Sequence, residues 1–192
     1  METSKQVTNT WKVLIVDNRP SVHKSTKILL DQLSFAGKRF TGIESCSLKE
    51  SQEILRSETD IAIVLMDVEI DGEDIGFDLI SFIKKELQNE KIRIVLRTGY
   101  PDLLPEENIT KIYHIDGCLP EEQVSLKQFE FVIIGAIETY NQIIGVTNYL
   151  SGLAGSVAHE MRNSLTLFGL NFSAVKNELF QLKKRYPEEN ME

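Results

Sequence analysis

The clearest candidate for chemistry is a histidine, His159, which Glu160 follows directly in the run SVAHEMRNSL. A neutral imidazole nitrogen is a competent nucleophile, and a carboxylate that accepts the other ring proton can hold its tautomer. Arg162 and Asn163, about one turn along a helix, could steady an anionic group. These residue types suit a nucleophilic histidine, and the alternative is an ordinary solvated helix residue.

A second set of candidate residues follows three short apolar runs. Asp17 and Asn18 come directly after the first run, and Asp67 comes directly after another. Thr98 lies just beyond a third run. Hard oxygen ligands gathered at one edge of a sheet can hold Mg²⁺, which also bridges to phosphate oxygens. A carboxylate at such a place can itself be the nucleophile and form an aspartyl phosphate.

The elements that must position these residues alternate between residue 11 and about residue 120. Apolar runs lie at residues 12–16, 39–43, 61–66, 92–96 and 111–115, and amphipathic stretches lie at 21–33, 48–56, 76–87 and 105–108. This alternation predicts an α/β fold, a doubly wound sheet of five parallel strands with helices on both faces. Ligands of such sheets bind at the carboxyl ends of the strands, where the acidic residues fall.

Residues 12–128 resemble the receiver domain of two-component response regulators, whose fold is a five-stranded flavodoxin-like sheet. The resemblance implies that Asp67 is the phosphoacceptor. It also implies that Asp17, Asn18, Asp67 and the backbone carbonyl of Glu69 hold Mg²⁺, and that Thr98 is the switch hydroxyl. The segments DVEIDGEDIGFDLI and LRTGYP are similar to a subgroup often found in cyclic-di-GMP phosphodiesterases and related signalling proteins.

Three positions depart from the receiver pattern. Asn18 stands where the family has a second aspartate, Glu121 where it has a lysine, and Cys118 where it has an aromatic residue. A carboxylate at position 121 would repel a phosphate. Arg19 or Arg97 could substitute for the lysine, the alternative being that both are solvated surface residues. The departures leave open a pseudo-receiver that is not phosphorylated and acts as a dimerisation or docking scaffold.

No proline interrupts residues 124–186, and apolar side chains recur there in alternating steps of four and three, which predicts a coiled-coil helix. Two successive steps of four near His159 form a stutter, which locally unwinds a supercoil. About 60 residues at 1.5 Å each give roughly 90 Å, so a partner helix is expected, most simply from a second copy of this chain. The stripe consists of Phe129, Ile133, Ala136, Tyr140, Ile143, Thr147, Leu150, Ala154, Val157, Met161, Leu165, Phe168, Phe172, Val175, Leu179 and Leu182.

The run around His159 resembles the H-box of sensor histidine kinases, with Ser164 where that family usually has proline. The resemblance implies that His159 accepts a phosphoryl group and passes it to an aspartate. The expected organisation is a tail (1–10), a receiver (11–122), a coiled-coil signalling helix (123–150), a phosphotransfer helix (151–186) and a second tail (187–192). No glycine-rich phosphate loop is present, so ATP binding is not expected of this chain. The expectation is the N-terminal part of a longer histidine kinase that works in phosphorelay signalling. Its partners would be a kinase catalytic domain or another phosphotransfer protein.

Composition excludes several classes of function. The net charge is −8 and no block of basic residues occurs, which argues against nucleic-acid binding. No run approaches 18 apolar residues and the N-terminus is polar, so a soluble, cytoplasmic protein without a membrane span is expected. Cys46 and Cys118 show no metal-type spacing and are expected to be reduced thiols.

Overall fold

The computed structural model describes residues 10–68, 75–98, 115–120 and 124–185. The chain divides into two compact units, Met1–Ile144 and Gly145–Glu192. The first unit contains the sheet, its covering helices and the beginning of a long helix. The second contains the rest of that helix, and each unit is described by itself.

The first unit is built on a sheet whose strands have the order β2-β3-β1-β4-β5-β6 in its described residues. β3, β1, β4, β5 and β6 pair in parallel, which confirms the predicted doubly wound parallel sheet. The additional strand β2 pairs antiparallel with β3 across a turn at Ala36 and Gly37, where φ is 50° and 75°. Two successive positive φ angles are typical of a tight type I′ hairpin. The strands are β1 (Thr10–Val16), β2 (Ser34–Phe35), β3 (Lys38–Ser45), β4 (Ile61–Asp67), β5 (Arg93–Thr98) and β6 (Gly117–Pro120).

The last strand lies later in the chain than the apolar run at 111–115 predicts. Residues 111–114 lie outside the described residues, as does the helix predicted at 105–108, and the strand paired with β5 begins at Gly117. Asp116 fixes this position, because its Oδ2 accepts a hydrogen bond from the backbone N of Ile94 at 2.8 Å. Its Oδ1 accepts a further bond from Nη1 of Arg93 at 3.2 Å. Hydrogen bonds of this kind do not appear in the hydrophobic periodicity of the sequence.

Local signals explain where the helices begin. Pro20 opens the first helix, where the missing N–H costs nothing. The long helix begins with a capping box in which the Ser125 hydroxyl accepts from the backbone N of Gln128, and Gln128 Oε1 accepts from the backbone N of Ser125. The predicted helix at 76–87 is an α-helix that continues as a π-helix. The helices are α1 (Pro20–Leu30), α2 (Leu48–Ser57), α3 (Ile75–Ser81), the π-helix (Phe82–Glu86) and the long helix α4 (Leu126–Arg185).

The core lies on both faces of the sheet. On one face, α1 and the beginning of the long helix cover apolar side chains that include Val13, Ile63 and Val95. On the other face, α2, α3 and the π-helix cover a second set that includes Leu14 and Val64. Burial on both faces explains why these strands are nearly continuous apolar runs rather than alternating ones.

The second unit consists of helical residues 145–185 in its described part. Nearly all of its described side chains are exposed, including large apolar ones such as Leu165 and Phe168. The long helix is therefore confirmed, and the coiled coil stays a prediction. Among the helices of the described residues, none is both long enough and apolar enough to span a bilayer.

Candidate functional site

Strand register places two aspartates and an arginine at one edge of the sheet. Val16 pairs with Met66 at the ends of β1 and β4, so Asp17 and Asp67 follow at equivalent positions of neighbouring strands. Asp67 in turn pairs with Arg97 of β5. All three residues lie at or near the carboxyl ends of parallel strands, the edge at which such sheets bind ligands.

Arg19 joins the two carboxylates through a single guanidinium group. Its Nε donates to Asp17 Oδ1 and its Nη2 to Asp17 Oδ2, each at 2.9 Å. The same Nη2 donates to Asp67 Oδ2 at 2.8 Å. The Asp17 and Asp67 side chains are 2% and 12% exposed and the Arg19 side chain is 38% exposed, so these charge-assisted bonds join two largely buried carboxylates to a half-buried arginine. The hydrogen bond to Asp17 is the main cause that raises the pKa of Arg19.

The chain around Arg19 explains why its side chain reaches the pocket. Arg19 precedes Pro20 and has φ −99° and ψ 114°, the extended conformation that a following proline favours. Its backbone N donates to Asp17 Oδ1 at 2.9 Å and so closes an Asx-turn. Backbone and side chain of Arg19 therefore hold the same carboxylate.

A second guanidinium, that of Arg97, is buried beside this pair. Arg97 is 5% exposed, and its Nη2 donates to the hydroxyl of Thr26 on α1 at 3.1 Å. Its Nε has no hydrogen-bond partner in the described part of the chain. Burial lowers the pKa of Arg97, an effect that the charge of Asp17 opposes and that of Arg19 reinforces. Two carboxylates and two guanidinium groups thus share this edge of the sheet, and their formal charges cancel.

The other residues expected at the site are only partly described. Asn18 lies exposed between Asp17 and Arg19. Thr98 ends β5, where it pairs with Pro120, and its side chain lies outside the described part. Glu69 and Glu121 lie outside the described residues. Cys118 lies on β6, paired with Leu96.

The described residues of the site do not fit Mg²⁺ as they are arranged. In the described part of the chain no three His, Cys, Asp or Glu side chains form a group that could hold a metal ion. Both carboxylate oxygens of Asp17 and one of Asp67 already accept from Arg19. Mg²⁺ requires carboxylate oxygens at about 2.0–2.1 Å, so it would compete with the guanidinium for the same atoms.

His159 and Glu160 lie on the long helix in the second unit, and both are exposed. Successive residues of an α-helix point about 100° apart, so neighbouring side chains do not face each other. No hydrogen bond joins these two side chains in the part of the helix that the structure describes. The structure thus places His159 where a second protein could reach it, without a fixed partner beside its ring.

Sequence reasoning missed the role of Arg19, which it considered only as a replacement for a lysine. The signal was local: an arginine between an Asx-turn and a proline, two residues after a strand-end aspartate. Such an arginine has a restricted backbone, and a carboxylate lies within reach of its side chain.

Comparison with solved structures gives receiver domains. The signal receiver domain of an HD domain-containing protein from Pseudomonas fluorescens Pf-5 matches with a TM-score of 0.59 and 18% identity, over 75% of this chain and 98% of that one. A response regulator receiver domain protein from Clostridium thermocellum matches with a TM-score of 0.55 and 20% identity, over 69% and 98%. The first unit therefore has the fold of response regulator receiver domains.

Comparison with curated proteins gives 3'3'-cGAMP-specific phosphodiesterase 2 of Vibrio cholerae. This relative is 28% identical over 176 residues, which cover 91% of this chain and 34% of the relative. The chain thus spans about a third of the length of that protein. No protein-family model matches the chain.

Proposed function

We propose that this chain is the regulatory part of a signalling protein, in which a receiver module takes up a phosphoryl group on Asp67 and conveys its state along the long helix to an output domain. The observation that carries the proposal is the position of Asp67. It ends a central strand of a receiver fold, its side chain is 12% exposed, and a guanidinium contacts its carboxylate.

The proposed step is transfer of a phosphoryl group to a carboxylate oxygen. That oxygen of Asp67 forms a bond to phosphorus, while the bond to the donor's leaving group breaks and its electron pair leaves with that group. Arg97 and Arg19 provide positive charge beside the added phosphoryl oxygens, which favours the product. Thr98 remains the candidate switch hydroxyl. A new dianion beside Asp17 would redistribute these ion pairs and so change the state of the pocket.

Incubation with acetyl phosphate, followed by intact-mass measurement, tests the proposal. Wild type should gain the mass of one phosphoryl group, and hydroxylamine should remove it, as expected of an acyl phosphate. Asp67→Asn should gain nothing. Asp31→Asn, which changes a carboxylate at the end of α1, should behave as wild type. An adduct that survives in Asp67→Asn would overturn the assignment.

A second candidate function is the unphosphorylated docking scaffold. It is favoured by the three hydrogen bonds from the Arg19 side chain, which already occupy three of the four carboxylate oxygens of Asp17 and Asp67. Complete absence of an adduct on wild type, with and without Mg²⁺ in the buffer, would support this alternative.

Two output classes are proposed for the protein to which this chain belongs. Similarity to the Vibrio cholerae phosphodiesterase extends over nine-tenths of the chain and therefore into the second unit. This favours a cyclic-dinucleotide phosphodiesterase as output. The other class is a histidine kinase with His159 as phosphotransfer residue, which the exposure of His159 on its helix supports.

A kinase catalytic domain added in trans with ATP separates these outputs. A histidine kinase predicts acid-labile phosphate on wild type that is lost in His159→Gln. A phosphodiesterase predicts no such phosphate on either protein.

We also propose that two copies of this chain associate through the second unit. Its described apolar side chains, among them Leu165 (68% exposed) and Leu179 (56% exposed), are mostly open to water. Sedimentation should show a dimer that Leu165→Glu weakens at least tenfold, since one buried carboxylate costs more than about 1.4 kcal/mol. Ser164→Glu is the matched control, and a wild-type monomer at all concentrations would contradict the proposal.

A further inference from the structure

We propose that Arg19 is a resident cation of the receiver pocket. Its guanidinium takes the place that a divalent cation would need between Asp17 and Asp67, so the pocket binds Mg²⁺ only when Arg19 is displaced or replaced. This inference concerns the regulation of the Asp67 site, so it rests on the proposed function. Its physical basis is the arrangement of hydrogen bonds and charges in the pocket before any phosphoryl group is added.

The first step concerns the oxygen atoms. Asp17 and Asp67 together offer four carboxylate oxygens, and the Arg19 side chain donates to three of them. The Arg19 backbone N also donates to Asp17 Oδ1. A metal ion that used these carboxylates would have to break charge-assisted bonds to two largely buried carboxylates. The guanidinium therefore competes directly with any divalent cation.

The second step concerns charge. Arg97 lies buried at the next strand end, and its positive charge already acts on both aspartates. With Arg19 in place, the formal charges of these four described groups sum to zero, so together they exert no net attraction on a divalent cation. Without the charge of Arg19, two carboxylates face one buried guanidinium. The pocket then carries a net negative charge that favours a cation.

The third step concerns tethering. The backbone of Arg19 is fixed by the Asx-turn to Asp17 and by the following Pro20. Its guanidinium is therefore always near the two carboxylates, and a linked group has an effective concentration of about the millimolar range or higher. Mg²⁺ arrives from solution and gives up its water reluctantly. The tethered cation wins this competition at ordinary metal concentrations.

Thermal unfolding with and without MgCl₂ tests the inference, with no phosphodonor present. The wild-type midpoint should move by less than about 1 °C in about 10 mM MgCl₂, because Mg²⁺ finds no site. Arg19→Gln keeps a polar side chain that can donate hydrogen bonds but is shorter and carries no charge. It should have a lower midpoint without metal and recover at least about 3 °C with it, since a ligand that binds only the folded state stabilises that state.

Two further variants locate the effect. Arg56→Gln changes an exposed arginine on α2 and should respond to Mg²⁺ as wild type does. Asp17→Asn added to Arg19→Gln removes a carboxylate of the pocket, so the recovery should disappear. A recovery that persists in this double variant would place the metal elsewhere and overturn the inference.

Two other results would also overturn it: an equal Mg²⁺ shift in wild type and Arg19→Gln, or a folded Arg19→Gln that does not respond. If Arg19→Gln does not fold, the wild-type chain decides through its nuclear magnetic resonance spectrum. Stoichiometric Mn²⁺ should leave the amide signals of Asp17 and Asp67 sharp, and broadening confined to them would overturn the inference. None of these experiments measures acyl phosphate formation on Asp67. Failure of this inference can therefore be distinguished from failure of the proposed function.

Discussion

The two parts of the long helix differ in whether their apolar side chains are buried. In residues 126–144, Phe129, Ile133 and Ile137 are completely buried in the receiver core. In residues 145–185, large apolar side chains such as Phe168 and Leu179 are mostly exposed. One continuous helix thus contains a part that tertiary packing stabilises and a part whose described apolar side chains are mostly exposed.

This contrast shows that apolar spacing identifies a buried stripe without identifying what buries it. The same steps of three and four residues run through both parts of the helix. In the first part the stripe packs on the sheet, and in the second its described side chains are exposed. Most of the stability of a helix comes from packing of its apolar face. The second part should therefore depend on association, and the first part should not.

The largest expected effect comes from a matched pair of phenylalanines. Phe129→Ala removes a completely buried ring and should cost about 3–5 kcal/mol in the free energy of unfolding of the receiver unit. Phe168 is 70% exposed, and Phe168→Ala should change the same quantity by no more than about 0.5 kcal/mol. Urea unfolding followed by Trp11 fluorescence measures both. Equal losses in the two variants would show that the halves do not differ.

The next largest effect on stability is expected at Gly117, which lies against the buried part of the long helix. A Cβ at Gly117 of β6 would lie 2.6 Å from Cγ1 of Val132 on the long helix, too close for real atoms. Gly117→Ala should therefore destabilise the receiver unit by about 1–3 kcal/mol through overpacking. Adding Val132→Ala removes the clashing methyl group and should recover part of the loss. Failure of that rescue would mean that the contact between β6 and the helix is not the cause.

Glycine replacement in the exposed part should have the opposite sign. A Cβ at Gly155 meets nothing within 4 Å. Gly155→Ala should therefore stabilise helical structure by about 0.5–1 kcal/mol, because alanine loses less backbone freedom in a helix. Circular dichroism should show later melting of helix, while the urea midpoint of the receiver unit stays unchanged. A destabilised variant would indicate that this face packs closely against a partner, as Gly117 does within its unit.

Much of the fold could be predicted from the sequence because burial on both faces of a parallel sheet makes the strands readable as apolar runs. The strand at residues 61–67 and the first strand emerge this way, and with them the positions of Asp17 and Asp67 at strand ends. The absence of proline predicted the long helix. These features depend on local composition, which can be read directly from the sequence.

The rest depends on contacts between residues distant in the chain. The position of β6 depends on hydrogen bonds that the Asp116 carboxylate accepts from residues 93 and 94, more than twenty positions away. The role of Arg19 depends on Asp67, which lies 48 residues later and is brought near only by the pairing of β1 with β4. Such pairings between strands determine where the end of a long, flexible side chain lies. Hydrophobic periodicity carries no information about that position.

The smallest expected effect concerns a tyrosine of the buried part. Tyr140 is half-buried and packs edge-on against Trp11, with ring centroids 6.2 Å apart. Burial, reinforced by the charge of Asp60, raises the pKa of Tyr140. The unfolded chain therefore loses this proton first as the pH rises past about 10, so stability falls from there through the raised folded pKa.

Urea unfolding at increasing alkaline pH measures this loss as the difference between wild type and Tyr140→Phe, which cannot ionise. The difference should be constant below about pH 9 and should then move against wild type, because only wild type carries the shifted group. Tyr149→Phe removes a tyrosine that is 67% exposed, in the second unit, and should leave the alkaline loss in place. If Tyr149→Phe abolished the loss and Tyr140→Phe did not, the part of the helix at residues 145–185 would be the shielded one. The contrast between the two parts would then be reversed.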